Sequence, residues 1–171
     1  MNNKKGLTLI ELLIVISIIT ILATSSINLF NLVQKRKISK DIDTIISALN
    51  SAKYKAFVEK RTCGLWWNNS KNFKTIELRC DSDNDGQITD NNGYDIIKTL
   101  NLSVAFQDGN RKFISFLKEG ITFNVVTLCP KDFKNLPSKS CILVSNTRIL
   151  RGYLKITSST QCNSTYCIPN L

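Results

Sequence analysis

Apolar residues fill the chain from Leu7 to Ala23, interrupted only by Thr8, Glu11, Ser17 and Thr20. As a helix rising about 1.5 Å per residue, this run nearly spans a hydrocarbon core. Beyond it the pattern becomes one-sided. Ile38, Ile42, Ile45, Leu49, Ala52 and Ala56 step by four and three residues, with Lys40, Asp41, Asp43, Lys53 and Lys55 off the stripe. That spacing predicts an amphipathic continuation of the same helix. One helix from about Thr8 to Lys60, roughly 80 Å long, is expected. Its first half would protrude, and its second half would carry a globular head.

After Thr62 the apolar residues come in short runs. They cover residues 65–67, 73–80, 96–102, 104–106, 113–117, 121–128, 141–144 and 149–156. Asn68-Asn69-Ser70, Asp85-Gly86, Asn92-Gly93, Asp108-Gly109 and Glu119-Gly120 separate them as turn signals. Short strands at this spacing predict an antiparallel sandwich or partial roll. The fold class is α+β: a long N-terminal helix, hydrophobic in its first half, packed in its second half against an antiparallel β head. No internal repeat or long linker is visible.

Composition then narrows the chemistry. The chain has no histidine among its 171 residues. This removes Ser-His-Asp and Cys-His catalysis and His-based zinc sites, and no small-molecule substrate or required cofactor is indicated. The six cysteines, Cys63, Cys80, Cys129, Cys141, Cys162 and Cys167, include no CxxC pair and all follow the apolar run. They read as disulfides in an oxidising compartment. Six cysteines allow 15 pairings. Nearest-neighbour pairing, Cys63 with Cys80, Cys129 with Cys141 and Cys162 with Cys167, is the expectation. The net charge of +10 suits an anionic partner and says little about fold.

Glu11 is the anomaly of the apolar run, since a carboxylate there costs about 2–3 kcal/mol to insert in a bilayer. A secretory signal peptide cut near Ala23-Thr24-Ser25, or a plain anchor, leaves that acid unexplained. Lys4 and Lys5 before the run and Lys35, Arg36, Lys37 and Lys40 after it leave the positive-inside count undecided. The piece Lys5-Gly6-Leu7-Thr8-Leu9-Ile10-Glu11, however, resembles the class III signal of type IV pilins. The resemblance implies a leader of residues 1–6, cleavage by a prepilin peptidase after Gly6 and N-methylation of Leu7. It implies a helix over 7–61, with 7–24 in the membrane and later in the filament core, and a head over 62–171. Glu11 would be the charge needed for assembly, pairing with a freshly exposed amine. The usual mid-helix proline of pilins is missing; softening would fall near Ala23-Thr24-Ser25-Ser26 or Asn28.

The head pieces CGLWW, FKTIELRCDSDNDG, FLKEGITF and CILVSNTRI resemble the GspH/FimT group of minor pilins and type II secretion pseudopilins. This implies a structural subunit, held single-pass in the inner membrane with its head in the periplasm, then assembled with other pilins or pseudopilins near a filament tip. Some members of that group bind DNA during transformation.

Two features could add chemistry. Asp81, Asp83 and Asp85, followed by Gly86 and Ile88, match the first half of a calcium loop. Position twelve is Asn92 instead of glutamate, so Asp90 or Asp95 would have to supply an oxygen. A solvated turn is the alternative. After Asp132 come Lys134, Lys139, Arg148, Arg151 and Lys155 and no acid. Arg148, Arg151 and Lys155 could contact nucleic-acid phosphates, with Phe133, Tyr153 and Tyr166 as stacking groups. DNA-binding relatives carry Gly-Arg-x-Arg here; Thr147-Arg148-Ile149-Leu150-Arg151 lacks the glycine and displaces the second arginine.

Overall fold

The computed structural model describes residues 8–89, 93–109, 111–123, 125–134, 136–157 and 161–170, and the backbone alone over 23–28. Gly6, Leu7, Asp90, Asn92 and the side chains of Ala23-Thr24-Ser25-Ser26 and Asn28 therefore lie outside the described residues. Helix α1 runs Leu9–Glu59. The expected limits, Thr8 and Lys60, are its caps. Thr8 Oγ1 accepts the Glu11 N–H at 3.3 Å, and Glu11 Oε2 accepts the Thr8 N–H at 3.1 Å. This reciprocal capping box satisfies donors that no helical carbonyl can reach. Lys60 ends the helix in the left-handed region at φ 54°.

The stripe from Ile38 to Ala56 is buried, as its period requires. Asp41, expected off the stripe, is also buried, at 4% exposure. Its carboxylate accepts the Val104 N–H at 2.8 Å, which supplies the partner that a buried polar group needs. Leu9 to Leu22, Leu29, Phe30, Leu32 and Val33 stay exposed. Among the described residues no helix is long and apolar enough to cross a membrane; the described part of the run, 9–22, rises about 20 Å.

Among the described residues the head is one antiparallel sheet of eight strands, in keeping with the expected antiparallel β head. The strands are β1 Cys63–Trp66, β2 Phe73–Asp81, β3 Tyr94–Asp108, β4 Phe113–Phe116, β5 Val126–Pro130, β6 Cys141–Val144, β7 Ile149–Leu154 and β8 Cys167–Pro169. Their order is β4-β1-β2-β3-β5-β6-β7-β8. β3 joins the two halves. The runs expected as separate strands at 96–102 and 104–106 fuse because Asp41 holds the amide of Val104 where β3 loses register with β2. Asn101 pairs with Thr75, yet Phe106 pairs with Phe73. The run at 121–128 forms a strand only from Val126 onward. Its start is a turn, with Gly120 at φ 74° and the Thr122 N–H bonded to Asn146 O at 2.9 Å. β8 was not expected.

Cys63–Cys80 forms as expected, but the other two pairs are Cys129–Cys162 and Cys141–Cys167. The C-terminal segment returns along β7, placing Cys167 opposite Leu154 and Pro169 opposite Gly152. Cys141 also faces Gly152, from β6. The third disulfide thus straddles β7 over a glycine. A Cβ at Gly152 would lie 3.1 Å from Cys167 Sγ and 2.5 Å from Ile168 O. Nearest-neighbour pairing failed because sequence proximity carried no information about this returning strand.

Candidate functional site

The first turn of α1 carries Glu11, the residue expected to serve assembly, beside Thr8 and Leu9. Glu11 Oε2 accepts both the backbone N–H and the hydroxyl of Thr8, at 3.1 and 3.0 Å. The carboxylate is thereby held back over the helix start, where the exposed N–H groups and the macrodipole favour negative charge. Leu9, Leu12 and Leu13 beside it are more than half exposed. The arrangement is a carboxylate held at the helix start within an apolar surface that no described residue covers.

The acidic loop closes on itself. Asp81 is buried, and its oxygens accept the N–H groups of Asp83, Asn84 and Gly86 at 3.1, 2.8 and 2.7 Å. Asp83 accepts the N–H of Gly93 at 3.1 Å, and Asp85 that of Gln87 at 2.8 Å. The bond from the Gly93 N–H, chiefly, holds the Asp83 carboxyl below its usual range. Asn84 and Gly86 take left-handed conformations, φ 63° and 83°. The three carboxylates approach within 4.8 Å of one another, so the spacing suits a cation. Asp95 points elsewhere, to Arg61 at 2.9 Å.

An arginine that the sequence did not single out anchors this loop. Arg79, 3% exposed, lies between the rings of Trp66 and Tyr94, at 3.7 and 3.9 Å from their centroids. It pairs with Glu77 at 2.6 Å and donates to Ile88 O at 3.4 Å. Ile88 is fully buried against Gly64, where a Cβ would lie 2.7 Å from its Cδ1. Both rings are remote from Arg79 in sequence, so only an arginine amid strand apolars could have hinted at it.

The basic residues do not converge. Arg151 pairs with Asp43 of the helix. Arg148 lies in the β6–β7 turn, its carbonyl taking the Ser145 N–H at 2.8 Å. Lys155 lies past the far end of β7, more than about 20 Å of strand away. Phe133 and Tyr166 pack against the cluster around Cys129, Cys141, Cys162 and Cys167; Tyr153 is exposed.

Residues 1–27 match the prokaryotic N-terminal methylation motif. The fold is similar to the crystal structure of the type IV minor pilin FimU of Pseudomonas aeruginosa strain PAO1 in space group P21. The TM-score is 0.52 at 12% identity, covering 69% of this chain and 90% of that one. FimU in space group P65 aligns with a TM-score of 0.49 at 11% identity, over 66% and 90%. No curated relative matches the sequence. The chain therefore carries a prokaryotic N-terminal methylation motif at its start. Its fold, a long helix followed by an antiparallel sheet, is similar to that of FimU.

Proposed function

We propose that the chain is a minor subunit of a type IV pilus, with a type II secretion pseudopilus of the GspH/FimT kind as the alternative filament. A prepilin peptidase cuts after Gly6 and Leu7 is methylated. The helix holds the protein single-pass in the inner membrane, head in the periplasm, until it joins other pilins, near the filament tip in the GspH/FimT manner. The observation that supports this is the exposed apolar half of α1 carrying one acid, Glu11, aimed at the helix start. Mass spectrometry of the mature protein tests it. A chain beginning at methylated Leu7 is expected; a start near Ser25 or Ser26 would make the segment an ordinary signal peptide.

Calcium is proposed for the acidic loop on the proximity of Asp81, Asp83 and Asp85. Calcium is then expected to raise the melting temperature and Asp83→Ala to abolish the rise. A flat response to millimolar calcium reduces the loop to a turn. DNA binding gains no support from the scattered Arg148, Arg151 and Lys155.

A further inference from the structure

β3 is the longest strand of the sheet, yet its two edges are unequal. One edge pairs with β2 from Tyr94 to Phe106. The other pairs with β5 only over Phe106, Gln107 and Asp108. The outer edge of residues 94–101 thus has no strand partner among the described residues, although the strand order places β3 mid-sheet. An unpaired edge is a template for another strand, and proteins blunt it with proline, charge or a cover. Here no proline occurs, and Ile96 and Ile97 are 52% and 39% exposed.

The free edge runs beside the helix. Asp95 meets Arg61 past its C-terminal end, and Val104 meets Asp41 well down its length. Between them lies a groove of about 850 Å³, lined by Arg36, Lys40 and Lys55 of the helix and by Ile97, Lys98 and Leu100 of the strand. A register shift sets the faces. Lys98 pairs with Leu78, which is buried in the helix-facing core, whereas Ile96 pairs with Arg79. Lys98 therefore faces the helix side and Ile96 the other. The groove's charges are unbalanced. Asp43 is taken by Arg151 and Lys55 by Glu59. Arg36, Lys40 and Lys98 have no acidic partner among the described residues.

We propose that this edge receives an extended segment of a neighbouring filament subunit as an added strand, its acidic side chains set on the helix side against Arg36, Lys40 and Lys98, beside Ile97, and its apolar ones on the other side against Ile96. Backbone pairing supplies affinity and the alternate side chains supply choice. The strand and helix run side by side between their two anchors: Asp95 to Val104 spans about 30 Å as a strand, and the helix from Asp41 to Glu59 rises about 27 Å. The groove also begins just beyond Leu32 and Val33, so it continues the exposed apolar surface of the helix. A second copy cannot dock antiparallel through the same edge. Because β3 runs alongside α1, that pairing would invert one helix, and subunits entering one membrane share a polarity. This inference rests on the pilin reading.

Hydrogen exchange of the mature full chain, read by mass spectrometry in detergent micelles and in sheared filaments, tests it. Amides of 94–101 not bonded to β2 are expected to exchange at least tenfold more slowly in filaments. Replacing Ile96 and Ile97 together by lysine is expected to lower incorporation at least tenfold with the melting temperature unchanged, and Lys98→Glu to lower it as well. Equal exchange in the two states, or normal incorporation of the double variant, overturns the added strand. If the wild-type chain enters filaments with those amides unprotected, the pilin reading stands and the strand addition alone is lost. If it never enters filaments, both fall.

Discussion

Removing the disulfide that straddles β7 should destabilise the head by an amount the connectivity sets. Cys141 and Cys167 are 26 residues apart. Closing a loop of that size removes about 3.5 kcal/mol of denatured-chain entropy in the simple entropic model. For a domain on the order of 100 residues, each kcal/mol moves the melting temperature by about 4 °C. The pair Cys141→Ala and Cys167→Ala is thus expected to melt about 10–15 °C lower, followed by circular dichroism of the full chain in detergent. Gly152→Val should weaken the same place without touching a cysteine, because its side chain would meet Cys167 Sγ and Ile168 O. Non-reducing peptide mapping provides the direct check. A peptide joining Cys129 to Cys141 would refute the connectivity, and a double variant melting within about 2 °C of the parent would refute the energetics.

Glu11→Ala should be trimmed normally yet enter filaments at least tenfold less. Thr8→Ala, which removes the capping hydroxyl but keeps the backbone N–H that holds Glu11, costs about 1 kcal/mol at the helix start and should assemble; equal defects in both would reduce Glu11 to a capping residue. Asp41→Ala strands the buried N–H of Val104 and should cost about 1–3 kcal/mol in chemical denaturation, whereas a neutral result would mean that water replaces the carboxylate. The acid limb follows from Asp83 and from Glu59, which is held low first by Lys55 and then by Arg61. A depressed folded value gives stability that is present above the ordinary value and lost as pH falls through the folded one. With no histidine to titrate, the melting temperature should be flat from about pH 7 to 5 and fall below about 4; a decline between 7 and 5 would contradict it.

The helix was legible to its caps because its signals are local: a capping box within four residues and an apolar period that needs no knowledge of the partner. Glu11 stood out for the same reason, as a charge within an apolar run. What failed was everything set by contacts distant in sequence. Ser103 read as a gap between two strands until Asp41, from the helix, supplied an acceptor for the next amide. The cysteine pairs depended on a C-terminal strand too short to carry a pattern of its own. Arg79 was not singled out at all, since Trp66 and Tyr94 approach it only through the sheet. Arg151 read as free cation chemistry, whereas Asp43 holds it.

The two halves of α1 are folded by different partners. From Ile38 onward the apolar residues lie in one stripe, and the sheet covers that stripe. Before Leu22 they lie on every side, so no single face of a head could bury them. The chain must therefore borrow its burial from lipid or from neighbouring helices, which are about equally apolar solvents. Hydrophobicity alone cannot choose between them. Glu11 can, because lipid offers a carboxylate nothing, whereas a neighbouring helix start offers amine and N–H donors. In the proposed function, the insertion cost of about 2–3 kcal/mol would be a standing bias toward the filament, relieved when a subunit docks. The Thr8 bonds keep the acid aimed and partly satisfied while it waits. In that reading, the one charged residue of the run would suffice to give assembly a direction.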